Sequence, residues 1–539
     1  MKNEIKYLFM GIILVLVTFI GVTLAYFIVS IEGDKKDISI NTGDLRVIFD
    51  NGDAINGEDI EPGWSISKSF SIENKSKTEY KYNLVLNNLL NNFSSDDLVY
   101  RITSSSGYNM PLYSVFPKSS TEKNEVIAYN IPIAGKSKHE YYIDIKFIDN
   151  QDRNQIEDMG ASLNCNLFIE EGTTLSIFPE NSLAQTIIEN NNIMTRSDFS
   201  KNLARTGGIV FKQSSSDNTN DGQFTEDING DGIGEDVYYY SGDTSTNWVK
   251  FGLDKNDNPL YWRIIRINED GSVRLLYIGT DTTTTEAYIG SSAFNSDNTD
   301  PLYGGYMYGS IGSLESNRTN ENSSTIKTII DEWYRDNLYA KGFEKYISKD
   351  AIYCNDRSVN GNYDENYLSS TIYYGNYDRI QTNIRPSYKC GGNSNGILFD
   401  TYSNADKFSA NTSGGGNGLL KCSWDNSVDC PLALMSIDEV SYAGGEAGVN
   451  NPYVWYYTNS SDSSAVKDKY WWTMSPNRWE SNALYAYYIS GRNGQIFVNA
   501  KVNFGYVVRP VISLNLCSKV SGGNGKYGSP YEISSDSCN

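Results

Sequence analysis

The sequence predicts a mainly β protein that closes with an α+β domain, and three patterns predict it. Between Leu45 and Ile169 apolar residues recur with period two, run after run. Between Tyr470 and Leu514 short alternating strands follow one another, with Gly491-Arg-Asn-Gly494 as a turn. One long stripe, Ile326, Ile329, Ile330, Trp333 and Leu338, repeats instead at helical spacing. A chain of 539 residues has room for two or three domains, each with its own core.

The N-terminus carries Lys2 and Lys6, and Tyr7 to Ile31 then runs 25 residues without a charge. That is long enough for a transmembrane helix. The basic flank predicts a cytoplasmic start, with everything after Ile31 outside. Residues 1–31 are thus a signal anchor held in the membrane, or a signal peptide cut after Ala25. Leu24-Ala-Tyr-Phe27 resembles the cleavage region of exported proteins processed by SipW-type signal peptidases. Both readings place the protein at the cell surface or beyond it.

Residues 38–171 read as an antiparallel β-sandwich of jelly-roll or Ig-like type. Val47 and Phe49 alternate, as do Phe70 and Ile72, then Tyr80, Tyr82, Leu84 and Leu86. Tyr141, Ile143, Ile145 and Phe147 follow, then Leu163, Cys165, Leu167 and Ile169. This register puts Cys165 inside as a free thiol. Asn41-Thr-Gly-Asp-Leu-Arg-Val47, Ile60-Glu-Pro-Gly-Trp64 and Asp158-Met-Gly160 make the segment similar to the TasA/camelysin family of exported matrix proteins. That resemblance implies a jelly-roll sandwich able to assemble into surface fibres. Camelysin's classification as a metalloprotease does not carry over, because the chain has one histidine, His139, read as a solvated loop residue.

Residues 172–235 read as a linker with a short helix around Leu183, Ile187 and Ile188. Its end, Asp227 to Asp236, starts like a calcium loop, with oxygen donors on Asp227, Asn229, Asp231 and Glu235. Tyr238 stands where such a loop needs its last carboxylate, so a plain acidic turn is the rival reading. Structural calcium is the one cofactor the sequence suggests.

Residues 236–539 form the last domain. Ser436-Ile-Asp-Glu439 is a capping box, which accounts for a Glu439 that would otherwise suggest a catalytic pair with Asp438. Tyr470-Trp-Trp-Thr-Met-Ser-Pro476 and Gly505-Tyr-Val-Val-Arg-Pro-Val-Ile-Ser-Leu514 resemble a domain of unknown function in exported proteins of Firmicutes. That domain is similar to the C-type-lectin-like fold of formylglycine-generating enzymes. None of the cysteines here matches those enzymes' copper-binding active-site motif, so the resemblance implies a fold and no activity. An even six, Cys354, Cys390, Cys422, Cys430, Cys517 and Cys538, suit an oxidising compartment. Fifteen connectivities are open; proximity favours Cys354–Cys390, Cys422–Cys430 and Cys517–Cys538.

A net charge of −21, with 45 Lys and Arg against 66 Asp and Glu, argues against nucleic acid and anionic membrane surfaces as partners. With 41 tyrosines, the chain has the residues that adaptable binding surfaces use. The expected binding face is Tyr470, Trp471, Arg478, Trp479 and Tyr485. Arg509, in an apolar strand, is expected to meet a carboxylate or carbonyls, or else a ligand. The resulting expectation is a surface-displayed recognition or adhesion protein that binds glycan, protein or matrix without catalysis. Its rivals are a self-assembling fibre subunit of TasA type and an extracellular hydrolase.

Overall fold

A computed structural model describes residues 27–32, 38–42, 45–151, 155–173, 177–191, 193–195, 209–213, 225–228, 234–310, 319–358, 371–390, 407–410 and 418–538. The chain is mainly β, built from several sheets. It divides at residue 174 into two compact units.

Among the described residues the first unit has eleven strands: β1 (Phe27–Glu32), β2 (Ile38–Thr42), β3 (Leu45–Asp50), β4 (Ile55–Ile60), β5 (Ser65–Asn74), β6 (Tyr80–Asn91), β7 (Leu98–Ser104), β8 (Met110–Val115), β9 (Ser119–Ile133), β10 (Lys138–Phe147) and β11 (Ser162–Glu171). One sheet runs β4-β1-β11-β6-β9 and the other β2-β3-β5-β10-β7-β8. The period-two residues do what their spacing predicts. Phe70, Ile72, Tyr141, Ile143, Ile145, Phe147, Leu163, Leu167 and Ile169 are all buried, while their neighbours on β10 alternate outward.

Two expectations are corrected in this unit. The uncharged run does not reach Ile31 as a membrane helix, because Phe27–Glu32 is a strand. Its backbone pairs in parallel with β11, from Ile28↔Ser162 to Glu32↔Asn166, and antiparallel with β4. Alternation of Ser30 and Glu32 with Val29 and Ile31 is a strand pattern that the overall apolarity of the run hides. Among the described residues no helix is long and apolar enough to cross a membrane; residues 7–26, including the Ala25 site, lie outside them.

The second correction concerns His139. It is 7% exposed, on β10 and in phase with Tyr141. Its Nδ1 lies 2.8 Å from the Tyr82 hydroxyl, which also meets the Tyr141 hydroxyl. Burial lowers the imidazole below its ordinary value of 6.5. The unfolded chain therefore takes up a proton that the folded one resists. The contribution to stability is full above the unfolded pKa and falls as pH drops toward the folded one. The denaturant midpoint of this unit should decrease between about pH 7 and pH 5, and His139→Gln should flatten that part of the slope.

Cys165 is buried and unpaired by disulfide. Burial pushes its thiol up to about 12, against an opposing pull from Lys68.

The second unit starts earlier than expected, since its first elements fall in the segment read as a linker. Helix α1 (Leu183–Asn190), capped by Ser182, buries Leu183, Ile187 and Ile188 against a core that includes Tyr238 and Trp248. Strands β12 (Ile193–Thr195) and β13 (Ile209–Gln213) join β14 (Val237–Ser241), β15 (Trp248–Leu253), β16 (Pro259–Ile267) and β17 (Val273–Gly279) in one large sheet. A second sheet begins with β18 (Ser291–Ser292). The helical stripe forms α2 (Thr325–Tyr334), capped by Ser324 and continued by a π-helical turn to Tyr339. Ser436 and Glu439 make the expected capping box on α3 (Ile437–Tyr442).

Strands β19 (Tyr470–Glu480), β20 (Ala483–Ser490), β21 (Ile496–Lys501) and β22 (Tyr506–Val507) extend the second sheet in the order β18-β22-β19-β20-β21, and the short strand Ile372–Tyr373 also pairs with β19. The stretch Tyr506 to Leu514 is therefore not one strand. β22 ends at Val507, and β23 (Val511–Leu514) pairs with β17 in the large sheet. Pro510 has no N–H to offer a ladder, and its carbonyl accepts from Tyr277 N at 3.0 Å as the chain crosses over. The tail adds β24 (Val520–Gly522) and β25 (Tyr531–Ile533), the latter parallel to β15. Disulfides join Cys354 to Cys390, Cys422 to Cys430 and Cys517 to Cys538.

Candidate binding face

The second sheet presents one ladder of rings. Register sets Trp472 opposite Tyr488, and Tyr488 opposite Phe497. Tyr470 is two residues from Trp472, on the same face. Tyr506 on β22 packs tilted from the other side, 4.7 Å from Trp472 and 4.9 Å from Tyr488. Tyr488 and Phe497 lie nearly parallel at 5.3 Å, Tyr470 stands edge-on to Tyr488 at 5.4 Å, and Phe504 adjoins Tyr506 at 6.4 Å. Trp472 at the centre is fully buried and donates its indole N–H to Ser292 O at 3.0 Å. Tyr470, Phe497 and Tyr506 are half-buried, and Phe504 is 45% exposed. The cluster is thus a sealed base with a wet rim. Burial raises the Tyr488 and Tyr506 phenols, so both stay protonated at neutral pH. The Tyr488 hydroxyl donates to Asn499 Oδ1 at 2.7 Å.

The turn that sets this register needs glycine. Gly494 has φ +69°, and a Cβ there would stand 2.3 Å from Asn451 O. Arg492 in the same turn lies over the Tyr470 ring, 6.0 Å from its centroid.

Of the expected face, Tyr470 belongs to this cluster. Arg478 stacks on Tyr485 at 4.6 Å further along the sheet, and both are half-buried. Trp471 and Trp479 do not belong: each is 1% exposed. Trp471 points the opposite way from Tyr470 and Trp472, and a two-step bulge between Trp472 and Arg478 carries Trp479 inward as well. Tyr488, Phe497, Phe504 and Tyr506 were not anticipated. The signal for them was the alternation starting at Tyr470, which groups 470 with 472 and excludes 471.

Arg509 meets carbonyls, one of the expected alternatives, and among the described residues it has no carboxylate partner. It is fully buried, donates to Tyr456 O at 2.7 Å and to Tyr277 O at 3.2 and 3.3 Å, and lies over the Trp471 ring. Burial pulls its guanidinium down to about 9, which leaves it a cation at neutral pH.

The acidic groups that suggest catalysis are consumed by structure. Glu439 accepts from Arg274 at 2.6 Å and from the Ser436 N–H at 2.9 Å, and it forms an ion pair with Arg266 at 3.3 Å. Burial alone would raise its carboxyl, and the two arginines outweigh that and hold it below the usual range. Asp438 takes Arg379 Nε and Nη2, each at 2.8 Å, and Arg379 also meets Asp356. The small pocket beside them, lined by Arg266, Arg274, Ser387, Tyr388, Asp438 and Glu439, has room for about one water. In the acidic loop Glu235 accepts from Ile228 N at 2.8 Å. Asn229 and Asp231 lie outside the described residues. Among the described residues no three His, Cys, Asp or Glu side chains converge as a metal site.

No family model matches the chain, and no curated protein matches it. Among solved structures, AvmM, which catalyzes macrocyclization in alchivemycin A biosynthesis, aligns with 26% of this chain and 100% of its own. The identity is 12% and the TM-score 0.12, and likeness at that level supports no conclusion about fold or function.

Proposed function

We propose that this is an extracellular recognition protein, anchored at or released from the cell surface, that binds a surface or matrix ligand without chemically altering it. The half-exposed ring cluster on the second sheet carries this reading. Aromatic side chains supply large contact area at low entropic cost, and a buried Trp472 beneath them keeps the platform rigid. Three disulfides in one unit support an oxidising compartment. A two-sheet first unit fits a TasA/camelysin-like stalk, and the mixed α+β second unit fits a C-type-lectin-like display domain.

The test is binding of the full chain to immobilised glycans and matrix proteins, with product release followed in parallel. Tyr470→Ala and Phe497→Ala should each weaken binding by about 1–2 kcal/mol while leaving the melting transition in place. Binding indifferent to both substitutions contradicts the assignment of this face. Sustained turnover, abolished by one carboxylate change, contradicts the non-catalytic reading.

A further inference from the structure

We infer that the ligand of the ring cluster is an acidic polysaccharide, one whose sugar rings carry carboxylate groups. The inference rests on the cluster being a binding face, and goes further by using the charges around it. The chain as a whole is strongly acidic, at −21, yet the rim of this face is not. Lys467 and Lys469 are exposed just before Tyr470, Arg492 covers the Tyr470 ring, Lys501 is half-exposed at the end of β21, and Arg478 stacks on Tyr485. Against these five cations, residues 467–506 carry two carboxylates, Asp468 and Glu480. Glu480 holds Arg478 at 2.9 Å, while Asp468 reaches Arg492 only at 3.8 Å, with both side chains well exposed. Among the described residues no carboxylate lies within ion-pair distance of Lys467, Lys469 or Lys501. A cationic rim on an acidic protein concentrates anions at one place and repels them elsewhere.

The kind of anion follows from the rings. Tyr470, Phe497 and Tyr506 offer faces on which pyranose C–H groups stack, and exposed Asn499 adds an amide beside them. Lysine is depleted from protein–protein interfaces because fixing its long chain costs entropy. A rim with three lysines thus suits a hydrated, repeating polymer better than a folded protein.

The experiment compares polygalacturonate with its fully methyl-esterified form, which keeps the ring geometry and removes the charge. The full chain should bind polygalacturonate at least about tenfold more tightly, a preference that added salt erodes. Lys469→Gln combined with Arg492→Gln should remove most of that preference, while Phe497→Ala should weaken binding to both polymers. Equal affinity for the two forms overturns the acidic assignment and leaves the binding face standing. Binding of a protein ligand through Phe497, with neither polymer bound, likewise overturns the assignment alone. Polymer binding that ignores Phe497→Ala overturns the face itself, and the present inference with it.

Discussion

Replacing Glu439 by alanine should destabilise the second unit by about 3–5 kcal/mol, the cost of leaving buried charges without their partner. The carboxylate holds three things at once. It accepts from Arg274, forms an ion pair with Arg266, both arginines being nearly fully buried, and closes the capping box at the start of α3. Removing it strands two guanidinium groups: Arg266 keeps only Glu269 as an ion-pair partner, at 3.2 Å, and Arg274 keeps none among the described residues. Glu439→Gln keeps the shape and one cap acceptor, so it should recover part of the loss. Urea midpoints of the two variants and the parent measure both effects. Similar stability in all three would mean that the arginines find other partners, and the network would not be a structural hub.

Trp479→Ala should cost a similar amount, about 3–5 kcal/mol, through lost burial and the cavity left behind. Trp479 is 1% exposed and sits opposite Leu484 on β20 and Ile372 on the neighbouring short strand. A drop in melting temperature is the expected readout, with ligand affinity reduced only as far as the folded fraction falls. If the variant instead melts like the parent and loses binding, Trp479 is a surface anchor and the ring cluster is misassigned.

Much of the fold was legible because strand period and burial coincide. Val47 and Phe49, or Ile143 and Ile145, are buried where alternation says they must be. Pairing by proximity matched the three disulfides, since each closes a local segment. What the sequence hid depends on long-range partners. His139 continues the inward phase of β10 one step beyond the apolar run, and its reason for being there is Tyr82, which is 57 residues away. Arg509 is expected to meet a carboxylate or carbonyls, but that its carbonyls are those of Tyr277 and Tyr456 no local pattern announces. The same limit displaced the binding face by one residue. Trp471 and Trp472 are adjacent and both buried, and the ladder with Tyr488 and Tyr506 shows that Trp472 is the one lying beneath the ring cluster.

The measurement that bears most directly on the recognition reading is hydroxyl-radical footprinting of the full chain, with and without its own cell-envelope and matrix polysaccharide. Recognition through this face predicts that oxidation of Tyr470, Phe497, Phe504 and Tyr506 falls together when the polymer is present. Exposed rings elsewhere, such as Tyr142 and Tyr527 at 58% and 56% exposure, should keep their rate. Protection at Tyr142 or Tyr527 with no change in the four clustered rings would contradict it.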